Sequence, residues 1–192
     1  MSGISSINVD QTDTLQLILR SRDGDTFAVE ELVRAHEAQV YRLAVSMLDD
    51  AAEAAEATQD AFIIALDRLN TFRGEAAFAT WLYAITLNVC RGRLRKRRTR
   101  ERLTHVLHAL FRIDASPAQP EQQAIAHEAD SAVWHAIRAL DDVHREVIVL
   151  RYFHDLRQAD IAQVLGVTDR TVRARLHAAH EHLRDLLKGS LD

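Results

Sequence analysis

Two stretches of this chain carry residue types at a spacing that can do chemistry, and both point towards a polyanion. In residues 91–102, Arg91, Arg93, Arg95, Lys96, Arg97, Arg98, Arg100 and Arg102 stand against Glu101 alone. Arg91, Arg95, Arg98 and Arg102 fall three and four apart. On a helix they form one row of cations able to reach phosphates. The second stretch is residues 155–177. Ile161, Ala162, Val164 and Leu165 give a short helix an apolar face. Gly166 can take the left-handed conformation that ends it, and Thr168 or Asp169 can cap a following helix. There Val172 and Leu176 face inward, leaving Arg170, Arg173, Arg175 and His177 outside. A short helix, a glycine turn and a cationic second helix form a helix-turn-helix over 157–177, the shape of a major-groove reader. A plain helical hairpin with a solvated basic face is the blander alternative.

A third pattern calls for a protein partner. Residues from about Glu53 to Leu69 read as a helix with Ala54, Ala57, Ala61, Ala65 and Leu69 inside. Its outer stripe is Glu56, Gln59, Asp60, Ile63 and Asp67, again three and four apart. An acidic stripe with an isoleucine in its middle suits docking to a basic protein; a solvated face with one stray isoleucine is the alternative. A turn follows at 70–75, with Phe72 and Arg73 in an exposed position. The next helix carries Phe78, Trp81, Leu82, Ile85 and Val89 on one face and Thr80, Tyr83, Asn88 and Arg91 elsewhere. It runs into the basic strip. Cations beside stacking aromatics suit separated nucleic-acid strands as well as duplex.

The elements that must position these residues are helices. Gly (6) and Pro (2) are scarce in 192 residues, hydrophobic content is 47%, and the apolar spacing is helical rather than alternating. The expected fold is all-α: two small helical bundles joined by a flexible linker. Residues 1–12 are expected to be disordered. Residues 13–102 form the first bundle, with helices around Leu15–Leu19 and from Thr26 to about Leu48 before the two already described. Residues 103–127 are the linker, with a short amphipathic patch (Leu103, Val106, Leu107, Leu110, Phe111) and both prolines, Pro117 and Pro120. Residues 128–192 form the second bundle.

Charge is sharply partitioned. The chain carries −4 overall, residues 91–102 carry +7, and the remainder therefore carries −11. A cationic strip on an acidic body makes a directed contact with DNA while repelling it elsewhere, so a large partner is expected to supply the rest of the affinity. The lone cysteine, Cys90, excludes an internal disulfide and suggests a reducing compartment. No signal peptide or membrane-spanning run is visible. His105 with His108 and His177 with His180 lack further ligands, so no metal site or cofactor is expected. No catalytic constellation is visible, and an enzyme is not expected.

Taken together, the motifs resemble the sigma-70 family, in particular its small two-domain extracytoplasmic-function (ECF) group. Residues 56–62 resemble the family's region 2.2, residues 71–83 its region 2.3 to 2.4 junction, and residues 139–147, 160–167 and 171–177 its region 4. The resemblance covers nearly the whole chain, from about Leu17 to Leu187. It implies a cytoplasmic promoter-specificity subunit that binds core RNA polymerase through the β′ clamp helices and the β flap. Glu56, Gln59, Asp60, Phe62, Ile63 and Asp67 would serve core binding. Phe72, Arg73, Gly74, Phe78, Thr80, Trp81, Tyr83, Asn88, Arg91, Arg95 and Arg98 would serve the −10 element, the loop holding a flipped base. Arg170, Thr171, Arg173, Ala174, Arg175 and His177 would lie at the −35 element. The resemblance also implies an anti-sigma factor, often membrane-anchored, that occludes the core-binding surfaces. Ala178, His180 and His182 depart from the arginines common after the recognition motif, which implies fewer phosphate contacts there. From the residues alone, two rivals stay open: a stand-alone helix-turn-helix regulator and a protein-binding adaptor.

Overall fold

A computed structural model describes residues 5–111 and 131–188. Every element in it is helical. The first bundle is α1 (Ser5–Arg22), α2 (Thr26–Leu48), α3 (Ala51–Asp67), a 3-10 turn (Leu69–Thr71) and α4 (Phe78–Phe111). The second is α5 (Ser131–Ala139), α6 (Asp142–Tyr152), α7 (Gln158–Leu165) and α8 (Asp169–Lys188).

Local chemistry sets the helix ends. Asp25 accepts hydrogen bonds from the backbone N–H groups of Phe27 and Ala28 at the start of α2. Asp49 closes α2 in the left-handed conformation at φ 56°, and Asp50 then caps α3 through the N–H of Glu53. The Asp49-Asp50 pair thus stops one helix and starts the next. Asp141 caps α6 through the N–H of His144, and these bonds hold its carboxyl below the usual carboxylate range. Gly166 ends α7 at φ 65°, and the Thr168 hydroxyl accepts a bond from the N–H of Thr171 in the first turn of α8.

One expected boundary shifts. Helix α1 begins at Ser5, so residues 5–12 are helical rather than disordered; no glycine or proline lies between Ser5 and Arg22 to stop propagation. Residues 1–4 lie outside the described residues. Helix α4 runs through Arg102 to Phe111, so the amphipathic segment expected at the start of the linker is helical. The run from Arg93 to Phe111 contains no glycine or proline and is rich in Arg and Leu, both good helix formers. The linker prolines lie outside the described residues.

Two apolar cores result. One lies wholly in the first bundle and holds Ile18, Leu32, Val40, Phe62, Phe72 and Phe78. The other spans both bundles, joining Leu43, Met47 and Leu87 to Val147, Leu150 and Ile161. Helix α4 packs on α7, and α2 on α6.

Replacing Gly166 by Ala forces a β-carbon into the left-handed region, which costs about 1 kcal/mol. We expect urea unfolding of Gly166→Ala to show a loss of that size with an unchanged m-value, because nothing lies within 4 Å of the added carbon.

Candidate nucleic-acid interface

Helix periodicity divides the basic strip of α4 among three directions. Arg93 turns back on α3, donating to Glu56 Oε2 at 2.9 Å and to Asp60 Oδ2 at 2.5 Å. Arg97 follows one turn on, donating to the Leu48 carbonyl and lying 3.7 Å from Glu53. Arg91 and Arg98 turn the other way, to α6. Arg91 makes a two-pronged pair with Glu146 at 2.6 and 2.7 Å, and Arg98 meets Asp142 at 2.9 Å. Arg95, Lys96, Arg100 and Arg102 point to solvent. The predicted row of Arg91, Arg95, Arg98 and Arg102 is therefore half paired and half open.

The outer stripe of α3 lies where periodicity puts it. Ile63 is 66% exposed, and Glu56, Gln59 and Asp67 are exposed around it. Phe62 is corrected: at 7% exposure it belongs to the core, one position round the helix from the stripe. The stripe is also less negative than it reads, because Arg93 compensates Glu56 and Asp60.

The aromatic loop is corrected further. Phe72 and Phe78 are each 6% exposed and meet edge to face at 5.5 Å, with Trp81 half-buried against both. Thr80 is buried as well. These side chains form the floor under the loop; Arg73, Gly74 and Asn88 are its exposed members. Tyr83 is buried, donating to Gln39 Oε1 at 2.8 Å and packing its ring on His154 of the second bundle. Burial pushes its hydroxyl up to about 12. Apolar spacing marked this helix face correctly, but burial of the face follows from α1, α2 and the second bundle covering it.

In the helix-turn-helix, Arg170, Arg173, Ala174 and His177 are exposed at the start of α8, and Arg175 is half-buried. Thr171 is committed to the Thr168 hydroxyl at 2.9 Å. His180 meets the Tyr152 hydroxyl at 2.8 Å, and His182 packs on His144, so both are tied to α6. His105 and His108 have side chains outside the described residues.

Three residues that shape these surfaces carry no signal in the sequence. Arg22 at the end of α1 donates to the carbonyls of Leu69 and Phe72, clamping the base of the aromatic loop. Glu146 is 2% exposed within α6, and Arg91 is the cation that balances it. Arg145 donates to the carbonyls of Ile137, Arg138 and Leu140 at the end of α5 and to that of Met47 at the end of α2. Long-range side-chain–backbone bonds of this kind leave no periodicity to read. Cys90 is fully buried, and burial pushes its thiol up to about 12.

Comparison with known proteins assigns a family to both bundles. Residues 32–100 match Sigma-70 region 2, and residues 130–183 match Sigma-70, region 4. The ECF RNA polymerase sigma factor SigW of Bacillus subtilis is 31% identical over 177 residues, covering 89% of this chain and 95% of SigW. The RNA polymerase sigma-H factor of Pseudomonas aeruginosa is 33% identical over 188 residues, covering 93% and 95%. Among solved structures, CnrH in complex with the cytosolic domain of CnrY matches with a TM-score of 0.66 at 26% identity, over 92% of this chain and 97% of that one. The chain belongs to the sigma-70 family. It is an alternative sigma factor of the extracytoplasmic-function group.

Two outcomes follow from the geometry. Arg22→Ala removes charged bonds to two carbonyls, a loss of about 1.5–3 kcal/mol each when the acceptor stays buried; hydrogen exchange is expected to show lower protection in residues 69–75 than elsewhere in the first bundle. His154 is held near 4, well below its ordinary 6.5, by burial and then by Arg42, against a small opposite pull from Asp155. The folded state thus binds this proton more weakly than the unfolded state. Stability is expected to fall as pH drops from 6.5 towards 4, with the His154 ring titrating near 4 by NMR.

Proposed function

We propose that the surfaces divide the work of promoter-dependent initiation as follows. The exposed stripe of α3, centred on Ile63 with Glu56, Gln59, Asp60 and Asp67, docks on the β′ clamp helices of core RNA polymerase. Phe62 supports it from beneath. Asn88, Arg91, Arg95 and Arg98 hold the strands of the −10 element. Arg73, Gly74 and the exposed part of Trp81 frame the site for an unstacked base, over a floor of Phe72, Phe78 and Thr80. The start of α8 reads the −35 element through Arg170, Arg173 and Arg175, with Ala174 offering a methyl contact and His177 a further polar one; Thr171 orders the turn. Region 2 then occupies residues 13–102 and region 4 residues 128–192, the latter also meeting the β flap.

The observation that carries this reading is the continuity of α4. One unbroken helix links the floor of the aromatic loop to the cationic strip, so a strand held by the strip is led to the place where a base can unstack. Polymerase brings both regions to one promoter at high effective concentration, so neither needs strong DNA affinity alone. CnrH is held in complex with the cytosolic domain of CnrY, which supports a further step: a protein partner of this chain acts as an anti-sigma factor by covering the α3 stripe. We place the chain in the cytoplasm, with sequestration at the inner membrane if that partner is anchored there; among the described residues no helix is long and apolar enough to cross a membrane.

Transcription of genomic fragments with core polymerase tests the reading. Specific start sites are expected only when this protein and core are both present; specific binding to DNA without core would overturn it. Two variants test the parts. Ile63→Arg is expected to leave the far-UV circular dichroism unchanged, since the side chain is exposed, and to weaken binding to core roughly tenfold or more. Arg173→Ala is expected to leave core affinity unchanged and to weaken protection of the −35 element by about 1–3 kcal/mol.

A further inference from the structure

One residue of α4 has no reason within the fold to be what it is. Gly92 stands well inside a helix of 34 residues, where glycine costs stability relative to alanine. Gly24, Gly74 and Gly166 each have a positive φ; Gly92 does not, so its backbone conformation suits any residue. Helix packing does not require it either. Beyond the adjoining residues and the helix's own backbone, a β-carbon added at Gly92 would meet only Arg95 Nη2 among the described residues, at 3.9 Å. The glycine leaves a notch in α4 that no part of the chain fills.

Donors ring this notch. Asn88 lies one turn before it and Arg95 and Lys96 one turn after, and all three are exposed. Helical side chains lean towards the N-terminus, which brings both cations back over Gly92. The Arg95 contact shows that lean. Arg91 donates to Asn88 Oδ1 at 3.3 Å, so Asn88 keeps its N–H groups for another acceptor. Gly92 also lines a groove of about 620 Å³ between α3 and α4, with Lys96 and Arg100 on one side and Glu53 and Asp60 on the other. Those two acids are met by Arg97 and Arg93. Glu101 is the remaining acid of the lining, against Lys96 and Arg100, with Arg95 at the notch.

We propose that Gly92 is a contact notch for DNA: its missing side chain lets the sugar–phosphate backbone of one −10 strand lie directly on α4, with a phosphate held by Arg95, Lys96 and the Asn88 amide. A glycine is the residue that allows a ligand this close to a backbone. The phosphate contact carries no sequence information; it sets where the strand lies along the helix. The stability given up at Gly92 is then spent on position. The proposal rests on reading the exposed cations of α4 as a strand-binding surface.

The test uses the full chain bound to core polymerase, on a promoter fragment selected by the transcription assay above. Gly92→Ala and Gly92→Leu both introduce good helix formers. Both are expected to raise the Tm of the protein, by about 1–4 °C. Promoter binding is expected to move the opposite way. It weakens several-fold for Gly92→Ala and at least about tenfold for Gly92→Leu, the loss of one charge-assisted contact. Core affinity is expected to stay unchanged. A neutral methylphosphonate, placed in turn at each phosphate of the −10 element, then locates the contact. At one position it is expected to weaken binding of the unaltered protein about tenfold but that of Gly92→Leu less than about twofold, because the variant has already lost that phosphate. A lower Tm for both variants would overturn the proposal, since packing would then require the glycine. Losses that simply add at every phosphate would overturn it, and so would a loss of core affinity, which would give the groove to polymerase. If the Gly92 variants bind the promoter normally while Arg95→Ala weakens binding, the notch falls and the strand-binding surface stands. If Arg95→Ala is silent as well, the strand-binding reading falls with it.

Discussion

A carboxylate cannot be buried alone, and Glu146 is buried. Taking its charge out of water costs on the order of several kcal/mol, which only a close cation and good geometry offset. The cation is Arg91, and it comes from the other bundle. The pair ties α6 to α4, beside an apolar seam in which α6 packs on α2 and α7 on α4. Once it is set, Asp142 falls beside Arg98, and His154 falls on Tyr83. Arg145 can then close the carbonyl ends of two helices that belong to different regions. A purely apolar seam would hold as firmly or more so. Charged pairs instead give one register and an interface that other charges can contest.

Helix α4 is where the roles of the chain meet, because a helix distributes consecutive residues around its axis. Leu87, Cys90 and Leu94 face the core. Arg93 and Arg97 face the acids of α3, Arg91 and Arg98 face those of α6, and Arg95, Lys96, Arg100 and Arg102 face water. A block of like charge that reads as one strip therefore does three things at once. It pairs with the acids of α3, it ties region 4 to region 2, and it leaves a remainder open to solvent. The acidity of the rest of the chain is what makes this division possible.

Where a pattern is local, the sequence alone was enough. The alanine face of α3, the outer stripe with Ile63, the Asp49-Asp50 break and the turn at Gly166 all follow from spacing and capping within a few residues. The misses are of another kind. The resemblance implies polymerase or −10 contacts for Phe62, Phe72, Phe78, Thr80 and Tyr83, yet elements distant in sequence bury them. Arg22 and Arg145 act on carbonyls, which every residue has, so no side-chain pattern announces their targets. Glu146 is one acid among 28 acidic residues, and only the tertiary placement of Arg91 separates it from the solvated ones.

The same packing settles the chemistry available to Cys90. A thiol reacts with peroxides or disulfides as the thiolate, and at a pKa of about 12 only on the order of one molecule in a hundred thousand carries that form at neutral pH. With its sulfur also shut off from solvent, the one cysteine of this chain is chemically silent while the two regions stay together. Oxidants in the surrounding medium therefore have no thiol handle on the folded, closed protein.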